Sequence, residues 1–147
     1  DQLTLLIKSL SIDFGINHPE IALLGLNPHA GEKGKIGNEE KMLEDVISKF
    51  ENVNGPFVPD AFFARKKYKE FDLTLGMYHD QILIPFKLLN PNAGVNFTAG
   101  LPIVRTSPDH GTAFDIAGQN KADPQSFIHA INWGIKILNN RTVGNGK

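Results

Sequence analysis

The chain has 147 residues, 41% of them hydrophobic and 21% charged, which fits one ordinary globular domain able to bury a core. A formal net charge of −1 makes no electrostatic case for nucleic acid or an anionic membrane as a partner. The absence of cysteine excludes disulfides, thiolate zinc sites and a cysteine nucleophile, leaves histidine and carboxylates for any metal, and fits a reducing cytoplasm. There is no signal peptide, long apolar span or initiator methionine, so a piece of a longer chain is expected.

In chain order, Leu3, Leu6, Ile7 and Leu10 repeat at helical spacing and predict an amphipathic helix closing near Gly15. Ile21 to Leu26 is apolar between Pro19 and Pro28, the pattern of a strand buried on both faces of a parallel sheet. The run NEEKMLEDVISKF places acids first and Met42, Leu43, Val46, Ile47 and Phe50 on one side, as a crossover helix would. Asn54 to Pro59 is extended and delivers Asp60 to the head of a short aromatic segment; the basic run Arg65 to Lys69 reads as a solvated face. Phe71 to Met77 predicts a second apolar strand, followed by a helix interrupted or kinked at Pro85. Val95 to Thr98 and Ile103 to Thr106 predict short strands joined through Gly100 and Pro102. Pro124 opens a last helix through Ile128, Ile131, Ile135 and Leu138, capped by Asp123, and residues 141–147 are expected to fray.

Two stretches carry chemistry. GLNPHAGE, Gly25 to Glu32, and GMYHDQ, Gly76 to Gln81, each put one histidine just past an apolar run, where open α/β sheets place their sites. An imidazole there can serve a metal or a proton, with a carboxylate fixing its tautomer: Glu32 for His29, Asp80 for His79. Taken singly, either histidine is more often a hydrogen-bonded structural residue; two in like contexts strengthen the functional reading. Lys87, in an apolar run, either snorkels to water or meets an anionic substrate. Asp60 and Asp80 read as orienting or proton-relaying acids, or equally as a helix cap and a surface acid.

GLNPHAGE, NGPFVPD, MYHDQ, GVNFTAGLPIVRTSPDHGTAFDIAG and the closing helix together resemble the C-terminal half of the 4-hydroxythreonine-4-phosphate dehydrogenases of pyridoxine biosynthesis, over nearly the whole chain. The resemblance implies an α/β/α sandwich like that of the isocitrate and isopropylmalate dehydrogenases. It implies NAD-dependent oxidation of a phosphorylated 3-hydroxy amino acid followed by loss of carbon dioxide, a cytoplasmic homodimer with its active site at the interface, and one divalent cation (zinc, magnesium or cobalt). By that resemblance His29 and His79 bind the metal, with a third histidine outside this chain, and Lys87, Asn96 and Arg105 contact substrate. There is no GxGxxG fingerprint. HGTAFDIAG instead resembles an adenosine-binding loop, which would put His110 and Asp123 near adenine and Asp115 near the ribose hydroxyls.

Two features depart from the family pattern, Ala61 after Asp60 and the stretch Lys87 to Gly94, and they leave substrate choice open. A dehydrogenase of a phosphorylated four-carbon sugar acid, 4-phosphothreonate or 4-phosphoerythronate, is the alternative enzyme. A non-catalytic metal-binding or dimerisation module is the third reading.

Overall fold

The computed structural model describes residues 1–91, 93–109 and 114–144. Its contacts group into two compact units, described in turn: residues 18–88, and residues 1–17 with the described residues from 89 onward.

The unit of residues 18–88 is built on a parallel sheet of β1 (Ile21–Leu24), β2 (Val53–Phe57) and β3 (Leu73–Leu75), in the order β2-β1-β3. β1 is central and buried at every position, as its unbroken apolar run requires. It pairs with β3 as Ile21↔Leu73, Ala22↔Thr74 and Leu23↔Leu75. α2 (Glu40–Ile47) connects β1 to β2 and packs on β2; α3 (Pro59–Ala64) follows β2. α4 (His79–Leu89) follows β3 and carries Pro85 inside it without ending there. Ala22 and Leu24, two apart and so on one sheet face, pack with Phe62 of α3, and Phe57, Phe71 and Ile82 close around them. Phe62 lies 5.2 Å from Phe57 and 5.3 Å, edge-on, from Phe63. Its burial contributes about 1.5–3 kcal/mol. The basic run is exposed at Arg65, Lys66 and Lys69, while Lys67 pairs with Glu70 at 2.9 Å and sits 5.6 Å over the Phe57 ring.

In the other unit, α1 (Gln2–Phe14) ends as its spacing predicts, on Gly15 in the left-handed conformation at φ 74°. β4 (Val95–Phe97) and β5 (Thr106–Pro108) form an antiparallel hairpin against α5 (Gln125–Gly144). The second strand expected at Ile103 to Thr106 starts only at Thr106. The Thr98 N–H donates to the Arg105 carbonyl at 3.2 Å, which closes the hairpin there and leaves Ile103 in the loop, 66% exposed. Phe14 packs edge-on against Phe97 at 5.4 Å and lies 5.7 Å from Trp133. The residues expected to fray from 141 continue α5 to Gly144. Arg141 Nε donates to the buried Asp13 carboxylate at 2.6 Å and Nη1 to the Leu101 carbonyl at 3.1 Å; Asn140 donates to the Asp13 carbonyl at 2.7 Å. Local composition reads as tail, but these long-range bonds order it. No helix among the described residues is long and apolar enough to cross a membrane.

Candidate functional site

The order β2-β1-β3 reverses direction beside β1. The chain leaves β1 for β2 on one side and returns past it to β3 on the other, the arrangement whose β1/β3 crevice receives ligands in doubly wound sheets. His29 follows β1 and His79 follows β3, so the two histidine segments lead off adjacent strands at their carboxyl ends. Asp60, in the first turn of α3 after β2, reaches the same edge from the far side of β1. Asp80 lies in the first turn of α4.

His29 sits in an unusual backbone. From His29 to Lys33 the chain makes a left-handed turn, with φ of 53°, 49°, 74°, 45° and 57°. Four of these residues carry side chains, and each costs on the order of 1 kcal/mol in this conformation. Strain of this kind collects at ligand clamps and active sites. Two carboxylates brace the turn. The Asn27 N–H donates to Glu40 Oε1 at 2.6 Å, and Asn27 Nδ2 donates to Glu40 Oε2 at 2.8 Å and Glu39 Oε2 at 2.7 Å. Gly31 lies against Glu40: a Cβ there would fall 2.6 Å from Glu40 Oε2, and at φ +74° any side chain is strained. A cavity of about 330 Å³ opens beside the turn, lined by Ala30, Lys33, Gly37, Asn38, Glu40 and Pro56.

Glu40 is 5% exposed. Burial pushes its carboxyl up, but the Asn27 side chain and backbone N–H, with further backbone N–H groups, outweigh this and hold it below the usual glutamate value. Glu39 is lowered by its own backbone N–H and by Asn27. A folded-state value below the unfolded one gives stability that is complete above the unfolded value and lost as pH falls through the folded one. Thermal melting is therefore expected to be flat near neutrality and to fall below about pH 4, with part of that slope absent in Glu40→Gln. The same slope in both proteins would show that the brace carries none of it.

His29 and His79 are exposed, and neither has a side-chain hydrogen bond among the described residues. The carboxylates expected to fix their tautomers, Glu32 and Asp80, do not bond them; adjacent helical positions such as 79 and 80 do not face each other. Two unengaged imidazoles are the donor type that suits a divalent transition cation. No group of three His, Asp or Glu able to hold a metal occurs among the described residues.

The remaining expected residues sit on other elements. Lys87 is in the last turn of α4, about 12 Å of helix beyond His79. Asn96 is exposed on β4, opposite Ser107. Arg105 is exposed, with Nη1 donating to Thr98 Oγ1 at 2.9 Å. Asp115 is exposed in a short 3₁₀ turn, Phe114–Ile116. Asp123 caps α5, its Oδ1 accepting the Gln125 N–H at 2.9 Å. His110 is outside the described residues. Sequence reasoning gave no role to Asn27, Glu40 or Gln81. Asn27 before a proline was the one local sign; the first-turn acids of α2 read only as helix-dipole partners.

Proteins similar to this one are dehydrogenases. The 4-hydroxythreonine-4-phosphate dehydrogenase of Prosthecochloris aestuarii is 51% identical over 140 residues, 92% of this chain and 41% of the relative. A solved 4-hydroxythreonine-4-phosphate dehydrogenase from Klebsiella pneumoniae matches with a TM-score of 0.76 at 40% identity, covering 92% of this chain and 42% of that one. A terephthalate 1,2-cis-dihydrodiol dehydrogenase from Burkholderia xenovorans LB400 matches with a TM-score of 0.63 at 31% identity, covering 91% and 44%. The model of the pyridoxal phosphate biosynthetic protein PdxA family matches residues 1–134, and the chain belongs to that family. It spans about two fifths of the length of the curated relatives it matches.

Proposed function

We propose that this chain supplies part of the active site of a NAD-dependent dehydrogenase that oxidises 4-hydroxy-L-threonine 4-phosphate. Loss of carbon dioxide then gives 3-amino-2-oxopropyl phosphate, on the way to pyridoxal phosphate. The observation that carries this reading is the placement of two unengaged histidines off adjacent strands at the β1/β3 crevice, in a chain half identical to relatives named for that activity. His29 and His79 would hold a divalent cation, zinc, manganese, magnesium or cobalt, and two imidazoles favour a transition ion over magnesium. Bound there, such an ion supplies Lewis acidity toward the substrate's hydroxyl and carbonyl oxygens. Lys87 and Arg105 bring positive charge for carboxylate and phosphate, Arg105 with a fork that binds two oxygens at once, and Asn96 adds a hydrogen bond. Asp60 and Asp80 accept or return protons at the carboxyl edge of the sheet. His110, Asp115 and Asp123 are assigned to NAD; the α5 cap engages Asp123 through Oδ1. An isocitrate-dehydrogenase-like sandwich, a cytoplasmic setting and a homodimer with a shared active site belong to the same reading. The stripe Ile128, Ile131, Ile135 and Leu138, each at least 42% exposed on α5, supports a further apolar surface against this unit.

The test is NADH formation from 4-hydroxythreonine 4-phosphate with added Zn²⁺ or Mg²⁺. The 147-residue chain alone is expected to form none. Grafted in place of the matching segment of the Prosthecochloris aestuarii relative, it is expected to sustain turnover. A folded graft that oxidises only 4-phosphothreonate or 4-phosphoerythronate would favour the second reading. The departures from the family pattern at Ala61 and from Lys87 to Gly94 motivate that arm.

A further inference from the structure

We infer that Asn27 and Glu40 are positioning residues: the bonds between them clasp the base of the loop that carries His29 and set where its imidazole stands at the carboxyl edge of the sheet. This deepens the reading of His29 as a metal-binding residue and rests on it.

His29 lies midway along a short arc whose two ends meet one carboxylate. Two residues before it, the Asn27 N–H and Nδ2 donate to the two oxygens of Glu40 at 2.6 and 2.8 Å, across 13 positions of chain. Two residues after it, Gly31 presses so closely on Glu40 that a Cβ would fall 2.6 Å from Oε2. Further along the loop, a Cβ at Gly37 would overlap Asn27 Nδ2 and Glu39 Oε2. Short turns tie the arc to these same residues: the Ala30 N–H donates to the Asn27 carbonyl at 3.1 Å, and the Ile36 N–H to the Gly31 carbonyl at 3.1 Å. The ring of His29 is exposed, so its place is set by its backbone rather than by partners of the imidazole.

The clasp is chemically unlike a contact that serves stability alone. Glu40 is buried, and for stability an apolar side chain often fills such a place as well as a charge does. What the carboxylate provides is direction. Its two acceptor oxygens take both donors of one asparagine, which fixes the backbone and the side chain of Asn27 together. Left-handed backbone at His29, Ala30, Glu32 and Lys33 persists only where surrounding contacts over-determine it, and the clasp is such a contact.

A charge-conserving exchange tests the role. In the grafted enzyme, the Zn²⁺ dissociation constant is measured by competition with a chelating dye, at a temperature where circular dichroism shows each variant folded. Asn27→Asp sets a carboxylate against those of Glu39 and Glu40, and is expected to weaken zinc binding roughly 10- to 100-fold, as loss of a ligand's outer support does. Adding Glu40→Gln turns donor and acceptor round: an amide at position 40 donates to the carboxylate at 27, its oxygen still accepts the N–H of residue 27, and the exposed Glu39 can turn to water. Affinity is expected to return to near the wild-type value. Asn27→Ala removes the side-chain bonds without adding a charge, is expected to weaken zinc binding in the same direction, and covers the case in which N27D folds poorly. Wild-type affinity in folded N27D and N27A, with zinc binding lost in His29→Ala, would overturn the positioning role and leave the reading of His29 standing. A weakening that Glu40→Gln does not repair would overturn it too, because the pairing would not be its cause. Wild-type affinity in His29→Ala would overturn the reading of His29 itself, and this inference with it.

Discussion

Replacing either His29 or His79 by alanine in the grafted enzyme is expected to abolish NADH formation and to weaken zinc binding by more than 100-fold. Removing a mere outer partner of a metal ligand costs roughly 10- to 100-fold, and a ligand removed outright costs more. Each histidine is exposed, so the alanine variants leave the sheet and its aromatic cluster intact, and melting temperatures should stay near wild type. Activity lost together with the fold would point to a structural role; activity retained in either variant would move the search to Asp60 and Asp80, the acids at the same sheet edge.

Arg141→Ala is expected to destabilise the chain by about 3–5 kcal/mol, because it leaves the Asp13 carboxylate, 3% exposed, without its charged partner. Ser9 Oγ would remain as a donor to Asp13, which moderates the loss without replacing a guanidinium. The melting temperature should fall by roughly 10 °C. The same substitution frees the Leu101 carbonyl, which Arg141 Nη1 now engages, so the loop before β5 should lose hydrogen-exchange protection. An unchanged melting temperature would show that the last turn of α5 contributes nothing to this unit.

What the sequence made legible was local. Gly15 ends α1 because a glycine after a helical stripe takes the left-handed turn, and Asp123 opens α5 because its carboxylate reaches the N–H two residues on. β1 could be read from its unbroken apolar run and β3 from the shorter one before His79, which put both histidines at strand ends. What depends on distant partners was not legible. Glu40 looks like any acid in a first helical turn until Asn27, thirteen residues earlier, is seen bonded to both its oxygens. The start of β5 moved to Thr106 because the Thr98–Arg105 bond closes the hairpin, a choice that proline and glycine positions did not fix. The turn from His29 to Lys33 is left-handed at four residues with side chains, which no propensity favours; the brace on Asn27 holds it. Arg141 reads as tail until Asp13, 128 positions away, is placed beside it.

The most direct test of the central claim is anomalous diffraction at the zinc edge from crystals of the 147-residue chain grown with Zn²⁺. One peak about 2.0–2.2 Å from a ring nitrogen of both His29 and His79 is the result expected. Separate peaks on the two histidines, or a zinc ion held elsewhere with both rings empty, would contradict it.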